Sequence, residues 1–245
     1  MFFNSFIAFL GIAVLSHGKT RLPPLPISTF SIIARDQKTG ELGIAVQSKF
    51  IAVGGVVPYA SAGVGAIASQ AWGNVLYGPR GIDLLSSGKN PNEVIEILTS
   101  ADPFRNRRQL AVIGLEGNAS NYTGTECLDW AGAKIGEHFS VQGNLLAGPQ
   151  VIAAMAANFR ESKGFLCERL IKALEAGQFA GGDKRGRQSA ALLVVRSNWG
   201  YGGLNDRFRD LRVDDHPRPI EELYRIYKIH RKTFPRPDQK LDSEN

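Results

Sequence analysis

The sequence predicts an α+β fold in which two layers of mainly antiparallel sheet carry helices on their outer faces. Strand-like and helix-like segments do not alternate one by one, as they do around a doubly wound parallel sheet. A hairpin signal stands early in the chain, and amphipathic helices follow it in pairs. The 245 residues, 43% hydrophobic and 21% charged, are enough for one domain with a large core.

The hairpin signal spans residues 28–49. Residues 28–36 are rich in apolar and β-branched residues, and 42–49 repeat this character after a turn in which Gly40 can take a positive φ. Thr29 opens the first strand and Lys49 closes the second. Since the start of one strand lies beside the end of its partner, we expect these two residues to be neighbours. A nearby cation favours deprotonation of a hydroxyl nucleophile.

The spacing of apolar residues, together with Gly, Pro and capping residues, predicts the remaining elements. Helices are predicted as two short segments between residues 82 and 98, then over 150–159, 165–176 and 220–231. Asn90 is the expected N-cap of the second helix, with Pro91 in its first turn, and Gly177 is the expected C-cap of the fourth. Further strands are predicted over residues 62–68, 109–114, 119–123, 139–146 and 190–196.

The N-terminal segment resembles a secretory signal, because residues 2–15 are almost wholly apolar and small residues follow them. We expect export to the periplasm or the exterior, with no stable membrane association once the leader is removed. The first five residues lack Lys and Arg, so an uncleaved anchor stays open, as does a misplaced start codon with a cytoplasmic protein. The predicted organisation is a leader over 1–18, a linker over 19–27, one domain over 28–232 and a polar tail over 233–245.

The charged residues and cysteines limit the classes of partner and cofactor that we expect. The net charge is +6, but the basic residues fall in separate clusters without a nucleic-acid motif, so nucleic acid is not an expected partner. Cys127 and Cys167 form no metal pattern, and both a disulfide and two free thiols stay open. Asp214-Asp215-His216 is interpreted as an acidic loop, since adjacent residues seldom give sound coordination geometry. No cofactor and no metal site are expected.

Several short strings occur along the chain in a characteristic order. They include Thr29-Phe30-Ser31-Ile32, Ser69-Gln70-Ala71, Tyr77-Gly78-Pro79-Arg80-Gly81, Gln142-Gly143-Asn144-Leu145-Leu146 and Gly181-Gly182-Asp183-Lys184-Arg185-Gly186. Together they resemble the DUF1028 family, whose function is unknown and which is placed in the Ntn-hydrolase-like superfamily. The resemblance covers about Thr29 to Tyr224. It implies a four-layer αββα sandwich and an N-terminal Thr, Ser or Cys that attacks an amide bond with its own α-amine as base.

Thr29 is the leading candidate nucleophile. Its hydroxyl needs a base, which a free α-amine provides, so the bond between Ser28 and Thr29 must be cut. The alternative is a threonine chosen only for its β-propensity. Ser31 lies on the same side of the strand and is the alternative candidate for the nucleophile.

The other candidates surround this residue. Lys49 and Asp183 are expected to tune charge, and Asn144 to donate to an oxyanion, although each also fits a structural role. Lys184 and Arg185 suit a carboxylate or phosphate, or else an internally paired loop. The full set of substrate-binding candidates is Ser48, Ser69, Gln142, Gly182, Lys184 and Arg185.

Two functions therefore stay open. The first is an amidohydrolase that cleaves an amide bond of an unidentified small molecule or peptide by attack of Thr29. The alternative is a non-catalytic ligand-binding or assembly module, with a cleft over the hairpin that holds an anionic ligand. A metal-dependent hydrolase at Asp214-Asp215-His216 is a third hypothesis. Exposed strand edges are compatible with a homodimer.

Overall fold

The computed structural model describes residues 29–239, which form a mixed α+β fold with ten strands and five α-helices. The strands are β1 (Thr29–Arg35), β2 (Leu42–Ser48), β3 (Pro58–Ser61), β4 (Gly65–Ala71), β5 (Arg108–Gly114), β6 (Ala119–Thr123), β7 (Gly132–Gly136), β8 (Phe139–Asn144), β9 (Ser189–Val195) and β10 (Arg207–Val213). The helices are α1 (Tyr77–Ser86), α2 (Pro91–Ser100), α3 (Pro149–Glu161), α4 (Leu166–Phe179) and α5 (Pro219–Thr233).

The strands build two antiparallel sheets. The six-stranded sheet has the order β10-β9-β2-β1-β8-β7, and the four-stranded sheet has the order β3-β4-β5-β6. The predicted hairpin is confirmed as β1 and β2, with Gly40 at φ 73° in the turn. It occupies the centre of the six-stranded sheet, so β1 has a partner on each side.

Three apolar clusters show how the layers pack. The first joins the six-stranded sheet to α3, α4 and α5, through residues such as Phe30 and Leu170. The second lies between the two sheets and includes Ile33 and Ala111. The third joins the four-stranded sheet to α1 and α2. Each sheet therefore buries both faces, one against the other sheet and one against helices.

The helix boundaries confirm one cap and correct another. Asn90 caps α2 with a complete capping box, and Pro91 stands in its first turn, as predicted. The prediction that Gly177 ends α4 is wrong, because the helix continues to Phe179. Gly177 is instead a buried packing position, where a Cβ would lie 2.7 Å from the Met155 side chain. The glycine lets α3 and α4 approach closely.

Both edge strands of the six-stranded sheet were not predicted. β7 has only five residues and lies at one edge of the larger sheet, and β10 lies at the other edge. In β10 the sequence RFRDLRV mixes four charged residues with three apolar ones, although most of its side chains are buried. Neither segment carries the continuous apolar run that marks the central strands.

Packed contacts continue beyond residue 232, where the sequence predicted the domain to end. Arg236 forms an ion pair with Glu41, with both side chains almost fully buried. The predicted leader and linker lie outside the described residues. In the described range 29–239, no helix has the length and apolar character needed to cross a membrane.

Candidate functional site

A row of polar side chains crosses one end of the six-stranded sheet. The pairing register places Thr29 of β1 opposite Ser48 of β2 on one side and opposite Asn144 of β8 on the other. Ser48 in turn faces Ser189 of β9. Directly paired residues project from the same face of a sheet, so all four side chains point to the face that packs on the second sheet.

Thr29 stands between the two sheets and is fully buried. Its hydroxyl donates to Ser48 Oγ at 3.2 Å. Its carbonyl oxygen accepts a hydrogen bond from Gln70 Nε2 of β4 at 3.3 Å. One predicted substrate-binding residue, Ser48, is therefore a direct partner of the candidate nucleophile.

Two glutamines from the four-stranded sheet form hydrogen bonds with the residues around Thr29. Gln109 Oε1 accepts from Gln70 Nε2 at 2.8 Å and from Asn144 Nδ2 at 3.1 Å. Gln109 Nε2 donates across to the Gly143 carbonyl at 2.9 Å. These bonds link β4, β5 and β8, and they keep buried amides paired, which avoids a large desolvation cost.

Gln142 belongs to the same layer but lies one step further from Thr29. Its Nε2 donates to Ser31 Oγ at 2.6 Å, and its Oε1 accepts from Ser140 Oγ at 3.0 Å. Ser31 in turn donates to Gln70 Oε1 at 2.6 Å. Ser31, the alternative candidate nucleophile, thus lies on the same face as Thr29, as predicted. It forms hydrogen bonds with a glutamine on each side.

The register places Ser48, not Lys49, directly opposite Thr29. Lys49 is the first residue beyond β2, and it is exposed. Its backbone N–H donates to Asp183 Oδ2 at 3.1 Å. The expected cation is thus one residue removed from the nucleophile, because the strand pairing ends before it.

The loop that carries Asp183 is tied to the strand ends beside Thr29. Asp183 forms a β-bridge with Leu146, just beyond β8. Its carboxylate accepts from the Arg185 N–H at 2.9 Å and pairs with the Arg185 guanidinium at 3.1 Å. Lys184 Nζ reaches the Asp129 carbonyl at 3.1 Å. Asp183 is therefore the residue that connects this loop to the end of β2.

Gly182 is required by the backbone of that loop. It takes φ 55°, and a Cβ there would lie 2.9 Å from the Gln178 side chain. Its carbonyl accepts the Ala147 N–H at 2.9 Å, which holds the loop against the chain after β8. The glycine thus allows a close approach of two segments beside the row of polar residues.

Ser69 is the one predicted binding residue that the fold directs elsewhere. Side chains alternate along β4, and its neighbour Gln70 faces Thr29, so Ser69 faces the helices. Its paired residue, Leu110, belongs to the cluster under α1 and α2, and its hydroxyl donates to the Asn74 carbonyl at 3.0 Å. Ser69 therefore supports the loop that leads to α1.

The cysteines and the acidic loop are the remaining candidates from the sequence. Burial raises the pKa of Cys127 to about 11 and the pKa of Cys167 to about 12, so neither supplies a thiolate at neutral pH. Within residues 29–239 the two cysteines are not joined by a disulfide, and no group of His, Cys, Asp and Glu is arranged to hold a metal ion. In the acidic loop, Asp215 Oδ1 accepts from Gln188, and His216 Nδ1 accepts the Arg218 N–H.

Comparison with known families connects this geometry to other proteins. The family described as "Family of unknown function (DUF1028)" matches residues 29–223, from the first residue of β1 into α5. The chain belongs to the DUF1028 family. A crystal structure of a protein of this family, SPO2555 from Silicibacter pomeroyi, is 33% identical over 83% of this chain and 89% of that chain, with a TM-score of 0.77. Comparison with curated proteins gives no match.

The DUF1028 match covers every residue of the polar row and the two glutamines that brace it. Gln70, Gln109 and Ser189 are the residues that sequence reasoning missed as parts of the site. The string Ser69-Gln70-Ala71 drew attention to Ser69, whereas strand alternation directs Gln70 to the inner face. Gln109 begins a segment whose sequence predicts only a core strand. Its contact with the site depends on the opposite sheet, which the local sequence does not show.

Proposed function

We propose that this DUF1028 protein is an Ntn-type amidohydrolase, with the four-layer αββα sandwich of the Ntn-hydrolase-like superfamily and with Thr29 as its nucleophile. The observation that carries the proposal is the position of Thr29. It opens the central strand β1, its hydroxyl bonds to Ser48, and it pairs in register with Asn144. The family match begins at this same residue, which supports a mature chain that starts there.

The mechanism requires cleavage of the bond between Ser28 and Thr29. The freed α-amine has an ordinary pKa of about 7.7–8.0, so a substantial neutral fraction is present near neutral pH to act as a base. It takes the proton from Oγ1 while Oγ1 attacks the amide carbonyl carbon. The same proton passes to the leaving nitrogen, the C–N bond breaks, and an ester on Thr29 remains.

Water completes the cycle. The α-amine takes a proton from the water that attacks the ester, and it returns this proton to Oγ1 as the carboxylic acid departs. Asn144 is the proposed donor to the oxyanion, once its amide turns from Gln109 towards the substrate. Loss of one such donor lowers the rate by about 100- to 1,000-fold. Lys49 and Asp183 supply charge at the rim, and Lys184 and Arg185 attract an anionic end of the substrate.

Export is part of the proposal. An apolar leader over residues 1–18 directs the chain out of the cytoplasm, and a second cleavage then exposes Thr29. Removal of the leader leaves no stable membrane association. The edge strands β7 and β10 are available for pairing in a homodimer.

The experiment is a comparison of processed wild-type protein with Thr29→Ala and Thr29→Ser variants against a panel of acyl amides. We expect hydrolysis by the wild type, none by Thr29→Ala and partial activity with Thr29→Ser, because serine keeps the hydroxyl. Thr233→Ala, which removes a hydroxyl from the exposed end of α5, is the matched control. Equal turnover by Thr29→Ala and the wild type would overturn the assignment of the nucleophile.

A binding or assembly module on the same fold is the second candidate, and a specific observation favours it. Asn144 Nδ2 already donates to Gln109, and the Asp183 carboxylate is engaged by Arg185 and the Lys49 backbone. Residues with these hydrogen bonds can have a purely structural role, in which they hold the strand ends together and take no part in catalysis. An unprocessed native chain that starts at Met1 or near Lys19 would support this candidate and exclude the amine as base.

A further inference from the structure

A concave region lies at the opposite end of β1 from Thr29. It is a groove of about 740 Å³, formed by the turn after β1, the β7–β8 hairpin and the connection from α3 to α4. Thr29 and Arg35 are the two ends of a seven-residue strand, which separates the groove from the polar row by about 20 Å. We call this region the basic groove. It is distinct from the candidate catalytic site.

The basic groove concentrates positive charge. Six lysine and arginine side chains line it, against two carboxylates, which leaves four positive charges in excess with histidine neutral. The whole chain carries a net charge of only +6. The cations are Arg35, Lys38, Lys134, Arg160, Lys163 and Arg169, and the carboxylates are Asp36 and Glu137.

The two carboxylates do little to neutralise these cations. Asp36 Oδ1 accepts the backbone N–H groups of Lys38 and Thr39 at 2.9 and 3.0 Å. Its Oδ2 lies 3.8 Å from Arg169 Nη1, which is at the outer limit of an ion pair. The Glu137 side chain is 88% exposed. Arg160 Nη2 also lies 3.7 Å from Glu161 Oε1. The other four cations have no ion pair among the described residues, so most of the positive charge in the groove lacks a close counter-ion.

Two guanidinium groups in the groove have unused donors. The Nε atoms of Arg35 and Arg169 are buried, and neither has a hydrogen-bond partner among residues 29–239. Arg169 is held in place, since it stacks over the Phe159 ring at 4.2 Å and donates to the Phe159 carbonyl at 3.2 Å. Buried unpaired donors are costly unless a ligand satisfies them.

We propose that the basic groove binds a ligand that carries several phosphate groups in a row. Arginine forks and flexible lysines together match closely spaced phosphates, and the volume is that of a small-molecule site. The two phenylalanines that line it, Phe139 and Phe159, are buried, so neither offers a ring on which a base can stack. Recognition therefore rests on the phosphates, which separates the ligand from a nucleic acid.

The test uses the full chain and sodium tripolyphosphate as the probe, in calorimetric titrations at about 50 mM and about 200 mM salt. We expect saturable binding at low salt and clearly weaker binding at high salt. The double variant Lys134→Gln/Lys163→Gln removes two exposed cations and should weaken binding by about tenfold or more. The matched double variant Lys228→Gln/Lys232→Gln on α5 should bind as the wild type does.

Three outcomes would overturn the proposal. One is the absence of binding at low salt, and another is equal weakening by the two double variants, which would mean that only net charge matters. The third is tighter binding of a short single-stranded DNA than of tripolyphosphate, with the same dependence on Lys134 and Lys163, which would identify a nucleic-acid groove. Thr29→Ala should bind tripolyphosphate normally, so this test is independent of the proposed catalysis.

Discussion

Removal of one partner from the buried ion pair between Glu41 and Arg236 is predicted to be strongly destabilising. Arg236 Nη1 and Nη2 each lie 2.9 Å from one carboxylate oxygen of Glu41, and the two side chains are only 1–2% exposed. Asp238 adds a second carboxylate. Three aromatic rings surround the guanidinium at 4.3–5.7 Å, those of Phe165, Trp199 and Phe208.

Arg236→Met is the informative change, because methionine keeps an apolar stem but leaves the Glu41 carboxylate buried without its cation. Loss of one partner of a buried pair costs about 3–5 kcal/mol. The lost contacts between the guanidinium and the rings add about 0.5–2 kcal/mol. We therefore expect the free energy of unfolding to fall by about 4 kcal/mol or more, which is a large part of the stability of an ordinary domain.

Urea unfolding of the full chain, followed by circular dichroism, measures this loss. Arg225→Met is the matched control, because Arg225 pairs with Glu222 at the surface and should unfold at the wild-type midpoint. Glu41→Gln/Arg236→Met should recover part of the loss, since no buried charge is then left unpaired. The reasoning is refuted if Arg236→Met and Arg225→Met unfold at the same urea concentration.

Three further changes test other parts of the structure. Asn90→Ala removes the capping box of α2 and should lower the free energy of unfolding by about 1 kcal/mol in urea unfolding; no change would mean that the cap is redundant. Gln109→Leu leaves the Gln70 and Asn144 amides without their acceptor and should cost about 1–3 kcal/mol for each, which thermal unfolding measures against the wild type. Burial by itself raises the pKa of Asp102, but hydrogen bonds from Arg108 and other donors outweigh it and hold the pKa below its ordinary value. The carboxylate therefore stabilises the fold above pH of about 4, and this contribution is lost as pH falls through the folded-state pKa. Asp102→Asn should make stability less dependent on pH in that acidic window, and an unchanged acid limb would contradict the assignment.

The sequence predicts the centre of the fold well and its margins poorly. β-branched residues and a turn glycine are sufficient to identify β1 and β2, and Asn90 with Pro91 identifies the start of α2. Gly177 misled the prediction because glycine serves both helix ends and close helix packing, and only the tertiary contact with Met155 decides between them. An edge strand such as β10 escapes detection because charged residues interrupt its apolar pattern.

The candidate site is predictable only as far as one hairpin extends. Strand pairing alone brings Thr29 close to Ser48, and local strings single out Asn144 and Asp183. Gln70 and Gln109 enter from the opposite sheet, so no local pattern identifies them. The basic groove is assembled from three separate segments, none of which is a run of basic residues. For this reason the clusters of basic residues in the sequence did not predict it.

The central claim is that Thr29 becomes the first residue of the mature protein. N-terminal sequencing, together with intact-mass measurement, of the protein purified from its native host tests this most directly. The account predicts a chain that starts Thr-Phe-Ser-Ile-Ile, with the α-amine of Thr29 free. A native chain that starts at Met1 or near Lys19 would contradict it, because Thr29 would then have no amine to act as base.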